Sequence, residues 1–317
     1  MRPLLFTHDS MADHQPGFGH PERPERLRAV LRGLERLGFE PRRPSPASRE
    51  ALLRVHTSAH LEYLEAADAA AQDEPIALDA DTRVSAGSLG AALLAAGAVV
   101  EATQAVLGGG APAAFCAVRP PGHHAEPERV MGFCLLNNVA IGALHALAQL
   151  GCKRVAVLDI DVHHGNGTQA VAEREPRLFF ASVHQSPLYP GTGGAEERGR
   201  YGNIFNAPLP PGTQGPAWRL AVLDLLRRIR EFEPELLLIS AGFDGHAADP
   251  LSHFELVDAD FAWAGKTAAA FAQRHCRGGV VATLEGGYDL RALESAAAAF
   301  AGGLCAPDSQ QPGGTGT

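Results

Sequence analysis

The sequence has few basic residues and no run of them. It contains 27 lysine and arginine residues against 36 aspartate and glutamate residues, which gives a formal net charge of -9. Proteins that bind DNA or RNA normally carry a cluster of lysine and arginine, so this composition argues against a nucleic-acid partner. An acidic protein is better matched to a basic partner, such as a lysine-rich peptide or a polyamine.

Cysteines and long apolar runs are also scarce. The five cysteines are scattered and never spaced as Cys-x-x-Cys, which is typical of free thiols and argues against a disulfide framework or a cysteine-ligated zinc. The apolar stretch at the amino terminus is too short for a signal peptide, and the uncharged stretch 84–100, rich in alanine and glycine, is too short to span a membrane. We therefore expect a cytoplasmic protein without a membrane segment.

Short runs rich in valine, isoleucine, leucine and phenylalanine alternate with helical patterns. Apolar runs without strict alternation are typical of strands that are covered on both faces. The runs are 113–118, 154–160, 178–183, 235–240 and 279–284, and the helical patterns are 88–107, 137–150, 216–232 and 258–274. This alternation predicts an α/β protein with a central, mostly parallel sheet and helices on both faces. We expect one domain over residues 1–305 and a disordered tail over residues 306–317.

Polar residues follow four of these predicted strands. In open α/β sheets ligands bind beyond the carboxyl ends of the strands, so these positions are candidates for chemistry. The four segments are RPPGHH (119–124), DIDVHHGNGT (159–168), SAGFD (240–244) and EGGY (285–288). Each alone has an ordinary explanation, such as a capped turn or a packed aromatic ring. Together they indicate an active site at one edge of the sheet.

Two carboxylates and one imidazole in these segments predict a metal site. The alternation of side chains at a strand end places Asp159, Asp161 and His163 on one side, and Asp244 follows another strand. Asp161, His163 and Asp244 would supply three ligands and leave positions for water and substrate, which is the arrangement of catalytic zinc. Oxygen and nitrogen ligands also suit Fe(II) and Co(II), so the identity of the metal stays open.

These motifs resemble those of the histone deacetylase and acetylpolyamine amidohydrolase family. The segments that match in order and spacing are RPPGHHA (119–125), GFC (132–134), DIDVHHGNGT (159–168), SAGFDGHAADPL (240–251) and LEGGY (284–288). The HPERPER segment (20–26) is similar to the class II branch and its bacterial relatives. The resemblance implies the arginase/deacetylase fold. It also implies a zinc-dependent amidohydrolase that removes an acyl group from an ε-amino-lysine, with an acetylpolyamine or another small amide as the alternative substrate.

The resemblance also implies a role for each polar residue. His123 and His124 would exchange protons with the attacking water and the leaving amine. Asp159 and Asn166 would be their respective partners. Because an amide cannot stabilise an imidazolium as a carboxylate does, His124 is expected to be the more neutral ring and the general base. Tyr288 would donate its hydroxyl to the oxyanion of the tetrahedral intermediate.

Further residues would shape the route of the substrate. Phe133 and Tyr189 resemble the aromatic walls of a narrow channel for the acyl-lysine stem, and Gly132 would let the backbone approach the substrate. Leu251 stands where polyamine-selective relatives carry an acidic residue, which favours acyl-lysine. Arg26 is predicted either to line an internal channel for acetate or to form a surface salt bridge.

A potassium ion behind the zinc is implied as well, together with self-association. The predicted potassium site, built mainly from carbonyl oxygens, consists of Asp159, Asp161, His163, Ser182 and Val183. Bacterial relatives often self-associate, so a homo-oligomer is a further prediction.

Two other functions fit parts of the pattern. A binuclear manganese ureohydrolase on the same fold needs Asp-x-His-x-Asp and Asp-x-Asp patterns, but Gly165 and His246 stand where two of these carboxylates would be. A binding protein without catalytic activity should have lost the tyrosine, a histidine or a metal ligand, and this chain keeps all of them. Counting metal ions and measuring turnover would separate both alternatives from the deacetylase.

Overall fold

The computed structural model describes residues 3–277 and 279–305 of the chain. Its main element is an eight-stranded sheet in which all neighbouring strands run parallel. The predicted α/β fold with a central parallel sheet is therefore confirmed. The predicted tail, residues 306–317, lies outside the described residues, so the domain boundary at residue 305 stays a prediction.

The strands account for the apolar runs of the sequence. In the described ranges they are β1 Leu4–Phe6, β2 Pro41–Arg42, β3 Ile76–Ala77, β4 Arg83–Val84, β5 Ala113–Cys116, β6 Val155–Asp159, β7 Leu178–Gln185, β8 Ile204–Leu209, β9 Leu236–Ala241 and β10 Val280–Leu284. The order across the large sheet is β2-β1-β5-β10-β9-β6-β7-β8, and β3 pairs with β4 separately. Strands β5, β6, β7, β9 and β10 are buried along their whole length, which explains why their sequences lack alternation.

Helices cover the sheet. The α-helices of the described residues are α1 Glu25–Glu35, α2 Arg49–Leu53, α3 Ser58–Ala70, α4 Ser88–Leu107, α5 Asn138–Gln149, α6 Asn166–Ala172, α7 Gly215–Phe232, α8 Asp258–His275 and α9 Leu290–Cys305. Helices α1 and α8 both pack against α9, while α4 packs against α5. Helix α4 extends beyond the stretch 84–100 and, at 20 residues, does have the length and composition of a membrane span. Of its 18-residue apolar window, 61% is buried inside the protein, as in the core helix of a globular domain.

Strand β8 and helix α9 are two of the elements that the sequence analysis did not predict. Strand β8 lies at the edge of the sheet, has only two buried positions among its six, and contains Asn206 and Pro208. Helix α9 consists largely of alanine and glycine and buries Phe300 in the core. Neither segment has a run of large apolar residues, so neither gave a strong strand or helix pattern.

The topology brings the four polar segments together. They follow β5, β10, β9 and β6, which are four consecutive neighbours in the middle of the sheet. The carboxyl ends of parallel neighbours lie at the same edge, so the side chains that follow these strands meet there.

All five cysteines are free, as predicted. Cys116, Cys134 and Cys152 are buried. Burial raises the pKa of the Cys116 and Cys134 thiols, so these two behave as core residues and are poor nucleophiles.

Candidate active site

Three buried side chains converge at the carboxyl edge of the sheet. The ligand atoms of Asp161, His163 and Asp244 all lie within 4.8 Å of one another. His163 Nδ1 is 3.0 Å from Asp161 Oδ1 and 3.1 Å from Asp244 Oδ2. Within residues 3–277 and 279–305 this is the one cluster of three or more histidine, cysteine or acidic side chains with metal-binding spacing. It is the set predicted from the sequence.

The main chain fixes one oxygen of each carboxylate. The Gly286 N–H donates to Asp161 Oδ2 at 2.8 Å, and the Val162 N–H donates to Asp244 Oδ1 at 3.0 Å. The second oxygen of each carboxylate faces His163. The backbone therefore holds both carboxylates in place, with one oxygen of each directed at His163.

Glycines leave the space that these carboxylates occupy. A Cβ atom on Gly242 would collide with the carboxylate of Asp161, and a Cβ atom on Gly286 would collide with that of Asp244. The backbone angle φ of both glycines lies outside the left-handed region, so the constraint is steric. The acidic groups lie directly against bare backbone.

The charge of the cluster suits a divalent cation. Asp161 and Asp244 are fully buried. Burial alone would lower the pKa of His163, but its hydrogen bonds to these two carboxylates and their negative charge raise it to about 10. Two carboxylates that have lost their water require a positive charge nearby, and a divalent ion ligated by two oxygens and one imidazole would supply it.

The two tandem histidines lie beside the cluster and have different partners. His123 Nδ1 is 2.9 Å from Asp159 Oδ2, and His124 Nδ1 is 2.8 Å from Asn166 Oδ1. The centres of the two imidazole rings are 4.0 Å apart. His123 Nε2 lies 3.8 Å from Asp161 Oδ1. Both pairings agree with the sequence analysis, and in both rings Nε2 is the nitrogen left for chemistry.

A third residue, Glu126, determines which way the Asn166 amide points. Asn166 Nδ2 donates to Glu126 Oε1 at 2.8 Å, so Asn166 Oδ1 faces His124. A carbonyl oxygen only accepts, so His124 Nδ1 carries the proton and donates. Nε2 of the neutral His124 ring then has a free lone pair, as a general base requires.

The surroundings of the two histidine rings shift their pKa values in opposite directions. Burial disfavours a charge on His123, but the carboxylates of Asp159 and Asp161 outweigh it and raise the pKa of His123 to about 10. Burial and the positive charges of His123 and His163 hold the pKa of His124 well below its usual range. His123 is thus the charged ring and His124 the neutral one, which agrees with the prediction for His124.

Tyr288 is held at the same edge by a buried arginine. Arg26 is fully buried, its Nε donates to Gly287 O at 2.6 Å, and its guanidinium lies 4.8 Å from the centre of the Tyr288 ring. The surface salt bridge considered for Arg26 is therefore wrong. Burial raises the pKa of Tyr288, so its hydroxyl keeps the proton that an oxyanion donor needs.

Two buried carboxylates that the sequence analysis missed support these residues through backbone contacts. Asp249 Oδ2 accepts from the Tyr288 N–H at 2.6 Å, and Asp249 Oδ1 accepts from the Leu251 N–H at 3.0 Å. Glu285 Oε2 accepts from the His123 N–H at 3.2 Å. Both lie inside the recognised motifs, yet the sequence gives no sign that Asp249 accepts from the distant Tyr288 N–H or Glu285 from the distant His123 N–H.

The predicted aromatic walls flank the catalytic groups. The centre of the Phe133 ring lies 5.8 Å from the centre of the Tyr288 ring. The centre of the Tyr189 ring lies 5.2 Å from the centre of the His124 ring. Tyr189 is 38% exposed and Phe133 is half-buried, as expected near a channel entrance. Gly132 has a φ of 57°, and a Cβ atom there would collide with the His124 ring, so this glycine leaves the space that the His124 ring occupies.

The remaining predicted residues lie close to these groups. Leu251 is half-buried and follows the turn held by Asp249. In the proposed potassium set, Ser182 is the register partner of Asp159, and its hydroxyl lies 2.9 Å from His184 Nδ1. Val183 is buried in the same strand.

The surroundings of the cluster oppose a binuclear centre. A Cβ atom on Gly165 would collide with the carboxylate of Asp159, so no acidic side chain fits at that position. His246 is not part of the cluster, and its Nε2 lies 3.6 Å from Asp258 Oδ1. Neither position supplies a ligand for a second ion.

Sequence and structure comparisons agree with this geometry. The profile of the histone deacetylase domain matches residues 20–304. The chain is 41% identical to a probable deacetylase of Archaeoglobus fulgidus, over 90% of this chain and 81% of that protein. It is 40% identical to a histone deacetylase-like amidohydrolase of Pseudomonas aeruginosa, over 85% of this chain and 73% of that protein.

Among solved structures, the acetylpolyamine aminohydrolase of Burkholderia pseudomallei superimposes with a TM-score of 0.85 at 31% identity, covering 95% of this chain and 98% of that one. This agreement extends over nearly the whole length of both proteins. The chain belongs to the histone deacetylase family and is a hydrolytic deacetylase that acts on amides.

Proposed function

We propose that this deacetylase removes acetyl groups from the ε-amino group of lysine in peptides, with zinc held by Asp161, His163 and Asp244. The observation that carries the proposal is the meeting of this cluster with a neutral imidazole, a charged imidazole and a phenol at one edge of the sheet. Fe(II) and Co(II) suit the same ligands. A divalent ion bound there polarises a carbonyl and lowers the pKa of water. The potassium site remains a prediction.

The chain's own groups divide the proton chemistry. His124 Nε2 accepts a proton from the attacking water, because its Nδ1–H is committed to Asn166. His123, kept charged by Asp159, donates a proton to the leaving amine. The Tyr288 hydroxyl donates to the developing oxyanion, and Arg26 holds the backbone that precedes Tyr288, at the carbonyls of Glu285 and Gly287.

The surroundings of Leu251 support lysine as the substrate. Asp249, the nearest acidic side chain in the sequence, is 7% exposed and is engaged by backbone N–H groups. It therefore offers no charge to a second amino group of the substrate. The half-exposed wall formed by Phe133 and Tyr189 suits the apolar stem of a lysine side chain.

An acetylpolyamine is the second candidate, and acidic groups near the entrance favour it. After burial, the negative charges of Asp81 and Asp79 contribute to raising the pKa of Tyr189, so both carboxylates act on this wall of the channel. Asp81 Oδ1 already accepts from the Gly132 N–H at 3.1 Å, which reduces its availability to a cationic substrate. The lysine proposal is therefore the stronger one.

Competing substrates test the choice. We expect kcat/KM for an acetyl-lysine peptide to exceed that for N-acetylputrescine by at least about tenfold with zinc-loaded protein. A preference for N-acetylputrescine would overturn the lysine proposal and support the polyamine one. Activity toward neither, with one metal ion bound per chain, would contradict both.

The pairing of His124 with a neutral amide predicts a pH effect. In Asn166→Asp the new carboxylate raises the pKa of His124, so the base becomes neutral only at higher pH. The acidic limb of the kcat/KM profile should then move up by about one pH unit or more. Since Glu126 faces this position, the double variant with Glu126→Gln avoids repulsion between two carboxylates. An unmoved limb with unchanged metal content would show that another group limits the rate.

Asp249 is expected to position Tyr288. Both Asp249 oxygens accept from N–H groups, so Asp249→Asn loses one contact whichever way the amide turns. We expect kcat to fall about 10-fold to 100-fold while KM and metal content stay constant, because only the oxyanion donor is displaced. Asp258→Asn, at a half-exposed carboxylate on α8, is the control. An equal loss in kcat for both variants, or a change confined to KM, would contradict this role.

A further inference from the structure

A groove between α7 and α8 has an apolar floor. It has a volume of about 520 Å³, and the floor is formed by Leu223, Leu226, Trp263 and Phe271. Leu226 and Phe271 are buried, Trp263 is half-buried, and Leu223 is 47% exposed. We call this surface the α7–α8 groove. No residue of the active site described above lines it.

The rim of the α7–α8 groove is basic. It contains Arg227, Arg230, Lys266, Arg274 and His275, and none of the lining residues is acidic within the described part of the chain. Asp224 and Glu231 neutralise Arg227. Arg230 and Lys266 have no carboxylate within 4.0 Å among the described residues. A basic rim on a chain with a net charge of -9 is a local exception.

The positive charges lie close enough to affect one another. After burial, the guanidinium groups of Arg230 and Arg274 lower the pKa of His275. The His275 ring also contacts Phe271, with 4.9 Å between the ring centres. Cationic groups therefore border the apolar floor directly, as in a site for a ligand that carries both apolar and negative groups.

The apolar surface continues beyond the groove along α7. Leu220, one turn before Leu223, is 69% exposed. Two exposed leucines at i and i+3, followed by the buried Leu226, form a stripe about two turns long. A stripe of this length exceeds the groove itself and favours a peptide segment over a small molecule.

We propose that the α7–α8 groove binds an acidic amphipathic helix of a partner protein. Leucine-like side chains of this helix would pack on Leu223, Trp263 and Phe271, and its carboxylates would pair with Arg230 and Lys266. Helices bind grooves of this kind through anchors spaced three and four residues apart. Two copies of this chain joined groove to groove would bring like charges together, so that pairing is disfavoured.

A synthetic peptide tests the proposal. The probe is a labelled 15-residue peptide with leucines at positions i, i+3, i+4 and i+7 and glutamates elsewhere, and the control has the same composition in scrambled order. Fluorescence anisotropy with the full chain should give a dissociation constant in the micromolar range. The emission of Trp263, the half-buried one of two tryptophans, should change as the probe binds.

Matched variants distinguish binding in the α7–α8 groove from a non-specific effect of charge on peptide binding. Lys266→Glu should weaken binding of the probe at least about tenfold, with deacetylation unchanged. Arg200→Glu, an exposed position outside the groove with the same change in charge, should leave binding unaltered. Equal weakening by both variants, or equal binding of the scrambled peptide, would overturn the proposal.

Two further results would assign another occupant and also overturn it. One is saturable binding of dodecanoate that is lost in Lys266→Glu while the peptide fails to bind. The other is dimerisation of the chain in sedimentation experiments that Lys266→Glu abolishes.

Discussion

Replacement of Asp244 by alanine is expected to abolish metal binding and deacetylation together. Asp244 supplies one of two carboxylates in the cluster, and its Oδ2 lies 3.1 Å from His163. Without it one oxygen and one imidazole remain, which is too few ligands for tight binding of a divalent ion. Metal content after dialysis, measured together with turnover, checks this. A variant that keeps one ion per chain and full activity would exclude Asp244 as a ligand.

Loss of activity through unfolding has to be separated from loss of the metal. Burial and the charge of Asp161 raise the pKa of Asp244, so the metal-free protein carries unfavourable repulsion between the two carboxylates. Asp244→Asn removes this repulsion, and its side-chain oxygen can still accept from the Val162 N–H. Its Nδ2 then faces His163, whose Nδ1–H keeps Asp161 Oδ1 as an acceptor. In the presence of a metal chelator, this variant should therefore unfold at the same temperature as the parent protein or at a higher one. A marked decrease would show that the residue is structural.

Removal of the Tyr288 hydroxyl should lower kcat by about 10²–10³, with KM largely unchanged. The hydroxyl interacts with a charge that exists only as the carbonyl becomes tetrahedral, so the loss falls on the chemical step. The ring itself packs against Arg26 and Phe133, and phenylalanine keeps both contacts. Steady-state kinetics of Tyr288→Phe with zinc-loaded protein measures the effect.

A second tyrosine provides the control for this variant. Tyr189 lies on the other wall, is 38% exposed and has no proposed role in stabilising the oxyanion. Tyr189→Phe should therefore alter KM more than kcat. If Tyr288→Phe retains nearly full turnover, the assignment of the oxyanion donor is wrong. If Tyr189→Phe lowers kcat as strongly, the two tyrosines have exchanged roles.

Much of the active site could be predicted because its residues are local in sequence. Asp161 and His163 follow one strand, and His123 and His124 follow another. The rule that parallel strands deliver their carboxyl ends to one edge was sufficient to bring these segments together. The contiguous order of β5, β10, β9 and β6 was not predicted from the sequence, since strand order depends on packing between distant segments.

The supporting contacts could not be predicted for the same reason. Glu126 orients the Asn166 amide from 40 residues away, and Arg26 reaches Gly287 from 261 residues away. A charged residue in a sequence usually indicates a solvated surface, and Arg26 was accordingly given a surface alternative. Its burial depends on Glu22 and the backbone carbonyls that surround it, which only the folded structure reveals.

The glycines beside the metal ligands have a consequence for how this enzyme can vary. The φ angles of Gly242 and Gly286 lie outside the left-handed region, yet a methyl group on either would displace a carboxylate of the cluster. Their replacement is therefore expected to be as damaging as loss of a ligand, although neither side chain takes part in the reaction. Mutational tolerance at the catalytic centre is set as much by volume that must stay empty as by the groups that react.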